Sequence, residues 1–324
     1  MTALLRTFAV GLVVVLCGAW LTDWRADRQE VEALKAWPPE GLLVGVQGRQ
    51  VHAVMRGTGP DLVLIHGASG NLRDMTFRFM DRLADRYRVT AFDRPGLGYT
   101  DPAPRSGRFD TIGESPMEQA ELLRAAAREL GIDRPIVLGH SFGGAVALAW
   151  ALGDPEGTAA VVDVSGAAMP WPGRLGWLYR ANVPWVGSTV VPPLVAAFAP
   201  APLVDRAVEA TFAPNPVPDG YAEHLGTGLA IRRASFRENA RQVNSLRAHI
   251  VEQSRLYAAF PVPLEIVHGE ADTIVPPKIH SLPLSRLAPG ANLVLLPGVG
   301  HMPHHAAPEA VIAAIDRARN RAGL

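Results

Sequence analysis

Cysteine is nearly absent from this chain: Cys17 stands alone among 324 residues. That excludes an intramolecular disulfide framework and a cysteine zinc cluster, and says little about redox compartment. A dominant charge is missing as well, since 31 Lys and Arg balance 31 Asp and Glu. The arginines are scattered, with no basic run and no interleaved aromatics, so nothing directs the chain to nucleic acid. There is no internal repeat and no low-complexity tract, which sets aside solenoids and disordered arrays. What is present is length enough for one large α/β domain with an insertion, or for two ordinary domains.

The amino-terminal segment is apolar. Phe8 to Leu21 is apolar apart from its glycines, follows Arg6, and is edged by Trp20 and Trp24. Three readings compete: a membrane anchor, a signal peptide cut after Cys17-Gly18-Ala19, or a lipoprotein signal at Cys17. Leu16 stands where a lipoprotein signal needs a small residue, and the apolar run continues past the candidate cut into interfacial tryptophans. Residues 1–24 therefore read as an anchor ahead of a cleaved signal, outside the fold. Residues 25–40, charged and then proline-rich, read as a linker or a short helix against the membrane. The expectation is a membrane-anchored protein whose folded domain lies outside the inner membrane, or a secreted one if the segment is cut.

Past residue 40, β-type runs alternate with helical patterns. Leu42 to Val46 and Gln50 to Met55 predict a hairpin, followed by strand Leu62 to Ile65, a helical stretch to about Arg86, and strand Val89 to Phe92. An amphipathic helix over Pro116 to Leu130 precedes strand Ile136 to Leu138, helix Gly143 to Leu152 and strand Ala159 to Val164. The alternation then stops. Residues 167–260 are proline-rich, carry Trp171, Trp177 and Trp185, and predict a helix over Glu238 to Tyr257, with Ser235 and Glu238 at capping-box spacing. It resumes with strand Pro263 to Val267, a helix near Ile279 to Leu287, strand Leu293 to Leu296 and a last helix from Pro308 to about Arg319. The fold class is α/β: a mostly parallel central sheet flanked by helices, divided into residues 41–166 and 261–324 by the insertion at 167–260.

Pro135 to Ala145 organises the chemistry. Its G-H-S-F-G places Ser141 between strand and helix, with Gly139 and Gly143 relieving a turn too tight for Cβ atoms. Alone, the pattern fits equally a serine that merely caps a helix. A serine nucleophile needs a base and a carboxylate, in the order Ser, acid, His. Two later strands run into loops that carry Asp272 and His301, which take those roles. Glu270 competes as the acid but follows the glycine turn, a solvated position; Asp163, inside an apolar strand, is the second choice. His304 and His305 compete with His301, or the three together as a metal site, which the lack of a carboxylate or cysteine beside them disfavours. His66, His140 and the turn from Asp93 to Gly98 read as framework. The backbone N–H groups of Phe142 and Ala68 are the candidate oxyanion donors.

Taken in order, H-G-A-S-G at 66, D-R-P-G-L-G at 93, G-H-S-F-G-G at 139, H-G-E-A-D at 268 and G-H-M-P-H-H at 300 resemble the α/β-hydrolase superfamily, specifically its capped serine-hydrolase branch of esterases, lipases and lactonases. The resemblance runs from about Leu42 to the carboxyl terminus. It implies that residues 167–260 form a cap, that no cofactor is needed, and that Ser141, where dehalogenases and epoxide hydrolases put an aspartate, performs acyl transfer. The expected partner is a small to medium, uncharged acyl substrate in an apolar pocket. Competing readings are a C–C bond hydrolase or cofactor-free perhydrolase using the same triad, and a ligand-binding receptor with little turnover.

Overall fold

The computed structural model describes residues 2–104 and 110–324. A long helix, α1 (Thr2–Ala36), opens the chain. The hairpin β1 (Leu42–Val46) and β2 (Arg49–Arg56) turns through Gln47 and Gly48, both at positive φ. Then come β3 (Asp61–Ile65), α2 (Arg73–Thr76), β4 (Arg88–Phe92), α3 (Pro116–Glu129), β5 (Ile136–His140), α4 (Phe142–Gly153) and β6 (Ala160–Val164). Six helices are inserted next: α5 (Trp177–Ala181), α6 (Trp185–Phe198), α7 (Ala201–Phe212), α8 (Tyr221–Leu225), α9 (Thr227–Ala230) and α10 (Arg233–Gln253). The chain closes with β7 (Leu264–Gly269), α11 (Ser281–Leu287), β8 (Asn292–Leu296), α12 (Pro303–Ala306) and α13 (Pro308–Ala322).

The strands form one sheet in the order β1-β2-β4-β3-β5-β6-β7-β8, with the β1–β2 and β2–β4 pairs antiparallel and the rest parallel. Successive side chains of a strand point to opposite faces, and both faces here are covered, so the inner strands are mostly apolar, with Thr90, His140, Asp163, Glu265 and His268 as buried polar exceptions. Val63, Ile65 and Val137 pack with α3 and α4 on one side. Leu62, Leu64, Ile136 and Leu138 pack with α13 and residues 72–87 on the other.

Two local expectations fail for identifiable reasons. The helix expected to reach Arg86 ends at Thr76, because Arg78 takes φ 59 and breaks the ladder, although Met75, Phe79, Met80 and Leu83 remain buried at helix-like spacing. The capping box expected at Ser235 and Glu238 is absent: α10 begins two residues before Ser235, and the Glu238 side chain lies against Gly96. A capping box exists instead at Ser115 and Glu118, where the Ser115 amide donates to Glu118 Oε2 at 2.8 Å and the Glu118 amide to Ser115 Oγ at 3.2 Å.

Of residues 25–40, the stretch expected to be a linker or short membrane-surface helix, residues 25–36 continue α1 without a break. They lie against the inserted helices. Ala26 packs with Ala196 and Ala197, Arg25 Nε donates to the Ala197 carbonyl at 2.6 Å, and Arg233 reaches Asp23, Asp27 and Glu30. Before that contact, α1 is bare. Leu4–Ala36 is long and apolar enough to cross a membrane, with an 18-residue window of mean hydropathy 2.1 of which none is buried.

Candidate active site

The turn from β5 into α4 is tight enough to dictate its residues. Ser141 sits at φ 55, ψ −116, in the left-handed half of the map. A Cβ on Gly139 would lie 2.0 Å from the Gly143 carbonyl oxygen, and one on Gly143 would lie 2.2 Å from that of Ile65. A side chain at either position would press on backbone and force it to shift. The turn is tied to β6: the Ser141 amide donates to Val164 O and the Ala167 amide to Ser141 O, each at 3.0 Å.

The loops after β7 and β8 bring two more expected residues to this turn. His301 Nε2 lies 2.9 Å from Ser141 Oγ, and His301 Nδ1 lies 2.7 Å from Asp272 Oδ2. With its proton on Nδ1, the imidazole donates to Asp272 and accepts from the serine hydroxyl, satisfying both contacts. All three side chains are buried. Burial alone would raise the Asp272 pKa, but hydrogen bonds from His268 and His301 and from the Val275 amide outweigh it and hold the carboxyl well below its ordinary range. The Ile274 and Val275 amides reach its Oδ1 at 2.8 and 2.9 Å.

The rival residues fall elsewhere. Glu270 is exposed. Asp163 is fully buried behind the turn; among the described residues neither of its oxygens has a hydrogen-bond partner, and burial pushes its pKa up to about 7. His304 and His305 turn away from the serine toward Asp74, and the premise that no carboxylate stands beside them is wrong. The Asp74 carboxylate, distant in sequence, lies 2.8 Å from His305 Nε2 and 3.3 Å from His304 Nε2, and accepts from Tyr221 Oη at 2.8 Å. These three ligand-type groups are close enough to share an ion; as they stand, both imidazoles share the one carboxylate.

His140 Nε2 donates to the His301 carbonyl at 2.8 Å, holding the base loop against the elbow strand. His66 Nδ1 donates to Gly67 O and its Nε2 accepts from the Arg94 amide, and burial drops its pKa to about 4, so it is a neutral brace between the loops after β3 and β4. The Asp93 carboxylate takes the Leu72 and Tyr99 amides and His52 Nδ1. Ala68 follows Gly67, where an added Cβ would stand 3.1 Å from Ser141 Cβ, so its loop rides directly on the elbow. Phe142 opens α4, leaving its amide without an intrahelical acceptor.

Sequence reasoning missed several residues of this neighbourhood. His268 bonds Asp272 at 3.2 Å. Asn215, from the insertion, accepts from the Gly300 amide at 2.8 Å and donates to Gly298 O at 3.1 Å, bracing the His301 loop. Asn239 of α10 grips Ser69. Only His268 lay within a motif; the others are joined by the folded chain alone. A separate cavity of about 390 Å³ lies between α1 and the inserted helices, lined in part by Glu30, Glu32, Trp37 and Asp205, and Ser141 is not among its walls.

Comparison with known proteins agrees with this architecture. A model of the alpha/beta hydrolase family matches residues 62–314. An uncharacterized protein of Mycobacterium tuberculosis is 28% identical over 286 residues, covering 84% of this chain and 80% of its own. The pimeloyl-[acyl-carrier protein] methyl ester esterase of Nitrosomonas europaea is 25% identical over 82% of this chain and 98% of its own. An alpha/beta hydrolase fold protein from Burkholderia ambifaria superposes with a TM-score of 0.69 at 26% identity, over 85% of this chain and 96% of that one. A bacterial membrane phospholipase A superposes at 0.63 with 21% identity, over 97% and 99%. The chain is a hydrolase and belongs to the alpha/beta hydrolase family.

Proposed function

We propose that this protein is a serine hydrolase that cleaves a carboxylic ester or similar acyl bond through an acyl-enzyme on Ser141. The observation that carries the reading is the unbroken chain from Ser141 Oγ through both nitrogens of His301 to Asp272. His301 takes the serine proton as Oγ attacks the acyl carbon, then gives it to the leaving alkoxide; Asp272 fixes the tautomer and faces the imidazolium. The Ala68 and Phe142 amides meet the oxyanion. Water, deprotonated by His301, then attacks the acyl-enzyme, and Ser141 leaves with its proton restored.

In this reading residues 41–166 and 261–324 are the catalytic core and residues 167–260 the cap that selects the acyl group. Residues 1–24 anchor the protein in a membrane. Support comes from the bare apolar surface of α1 and from the helix that α1 docks on: Val186, Val190, Leu194 and Phe198, at i+4 spacing along α6, are all exposed, as are Trp177 and Trp185. A methyl ester esterase among the relatives and a membrane phospholipase A among the structural neighbours support an ester in an apolar acyl substrate.

Ser141→Ala tests the mechanism. Wild-type protein should hydrolyse p-nitrophenyl acyl esters and take up a fluorophosphonate on Ser141, and the variant should do neither. Turnover retained by the variant would sink the reading.

A further inference from the structure

We infer that Asn239, on the inserted helix α10, is a positioning residue that sets the oxyanion loop after β3. This rests on the serine-hydrolase reading above, in which the Ala68 amide receives the developing oxyanion.

The loop is short of internal support. Ser69 takes φ 57, a left-handed conformation unfavourable for a non-glycine residue, so something outside the loop must hold it there. Asn239 does so with both ends of its amide. Its Oδ1 accepts from the Ser69 backbone N–H at 2.8 Å, and its Nδ2 donates to Ser69 Oγ at 2.9 Å. Ser69 is exposed and Asn239 almost fully buried, so the fork reaches the exposed loop from a buried position on the inserted helix. Neighbours on α10 secure it: Gln242 Nε2 donates to Pro95 O at 2.8 Å, Gln242 Oε1 accepts from Arg94 Nη1 at 3.1 Å, and Glu238 lies on Gly96.

The geometry reaches the reacting atoms through a single peptide plane. The Ser69 N–H belongs to the peptide whose other half is the Ala68 carbonyl, so fixing that N–H fixes ψ of Ala68. On the other side, Gly67 is pressed against Ser141 and His140 with no room for a Cβ to move freely. The Ala68 amide is therefore held from both flanks, by the elbow on one and by Asn239 on the other. Because Asn239 belongs to the insertion and the donor to the core, the donor is aimed only when α10 is seated. A donor misplaced by a fraction of an ångström matters in the transition state, where charge develops, far more than in the ground state.

The test uses the full-length protein and three variants at one position. Asn239→Leu keeps the volume and removes the fork, Asn239→Ala removes both, and Asn239→Asp keeps an acceptor for the Ser69 amide while the Ser69 hydroxyl supplies the second bond. For each, kcat and KM on p-nitrophenyl esters, the inhibition constant of an alkyl boronic acid that forms a tetrahedral adduct on serine, and the unfolding midpoint are measured. Asn239→Leu and Asn239→Ala should lower kcat about 10- to 100-fold with KM within about threefold. Boronate affinity should weaken in step with kcat/KM, and Asn239→Asp should recover to within about threefold of wild type. Asn239→Leu at wild-type kcat overturns the inference, as does a loss in all three variants that follows the unfolding midpoint while boronate affinity stays put. Should Asn239→Ala not fold, Asn239→Leu and Asn239→Asp still decide it. Fluorophosphonate uptake separates the two claims: a wild-type protein that does not label at Ser141 overturns the mechanism and this inference together, whereas labelling and turnover indifferent to Asn239→Leu overturn this inference alone.

Discussion

Two buried aspartates stand near Ser141, and their surroundings shift their pKa values in opposite directions. Asp272 has two amides and two imidazoles around it, and its pKa falls. Asp163 has no hydrogen-bond donor among the described residues, and its pKa rises to about 7. In the proposed mechanism the group that faces the imidazolium has to be ionised, which favours Asp272. Asp272→Asn should lower kcat by roughly ten-thousand-fold, since an amide at that place favours the wrong imidazole tautomer, whereas Asp163→Asn should keep turnover within a few-fold of wild type. The second variant carries a pH signature. Below the ordinary carboxyl pKa, Asp163 is protonated in folded and unfolded chains alike. As pH rises from there to about 7 the unfolded carboxyl ionises and the folded one does not, so each pH unit costs the wild-type fold at most about 1.4 kcal/mol. Asparagine has no proton to lose. Urea unfolding should therefore show Asp163→Asn gaining on wild type by roughly 2–3 kcal/mol between pH 5 and 7; a constant difference would mean that the folded carboxyl is already ionised. From sequence, Asp272 and Asp163 were both visible as candidates, one in a loop after a strand and one inside a strand. Their charge states were not, because the donors that fix them include an imidazole, and the burial that opposes them is a property of the whole fold.

At the scale of elements, all eight strands among the described residues stood in the sequence as β-type or continuous apolar runs, and the order Ser, Asp, His at strand ends pointed to the candidate site. What misled were segments where local pattern and tertiary demand part. Residues 73–86 bury side chains at helical spacing but follow a turn-broken path forced by Arg78. Glu238 has the spacing of a cap yet serves as a wedge on Gly96. Asp74, His304, His305 and Tyr221 converge from three separated elements, and no spacing in the chain announces it. The elbow is the opposite case, where local pattern and tertiary demand coincide. Gly143→Ala puts a methyl 2.2 Å from Ile65 O and 2.6 Å from His66 O, backbone atoms of the strand and loop that also carry Ala68. We expect a stability loss of about 1–3 kcal/mol from overpacking, together with slowed fluorophosphonate uptake, because relief requires α4 and the donor loop to separate. Thermal unfolding and labelling rates measured side by side check this; a variant that labels at the wild-type rate would mean that the strain is absorbed away from the site.

For the whole molecule, the decisive feature is that one helix has two unlike parts. The first part of α1 is apolar and bare, while its last three turns are charged and seated on α6, α9 and α10 through Ala26, Ala33, Arg25 and the acidic cluster around Arg233. An unbroken helix transmits orientation, so the docked end fixes where the apolar end leaves the fold, beside the exposed row on α6. Arg233 holds this junction against three carboxylates: Glu30 at 3.0 Å, Asp23 at 3.5 Å, and Asp27 closer still. Its pKa is raised, through the hydrogen bonds to Glu30 first. Reversing its sign in Arg233→Glu places four carboxylates together, and like charges at that range repel. Residues 25–36 should then lift from the insertion, and their amides should exchange with deuterium at least about tenfold faster than in wild type, as for a segment that opens locally. The apolar part of α1 is untouched, so under the proposed membrane anchoring the variant should sediment with membranes as the wild type does. High salt, which screens exposed charges, should loosen the wild-type contact in the same direction and by less. Unchanged exchange over residues 25–36 in Arg233→Glu would show that the alanine contacts alone seat the helix, and the ion cluster would then be a surface decoration on a junction made by packing.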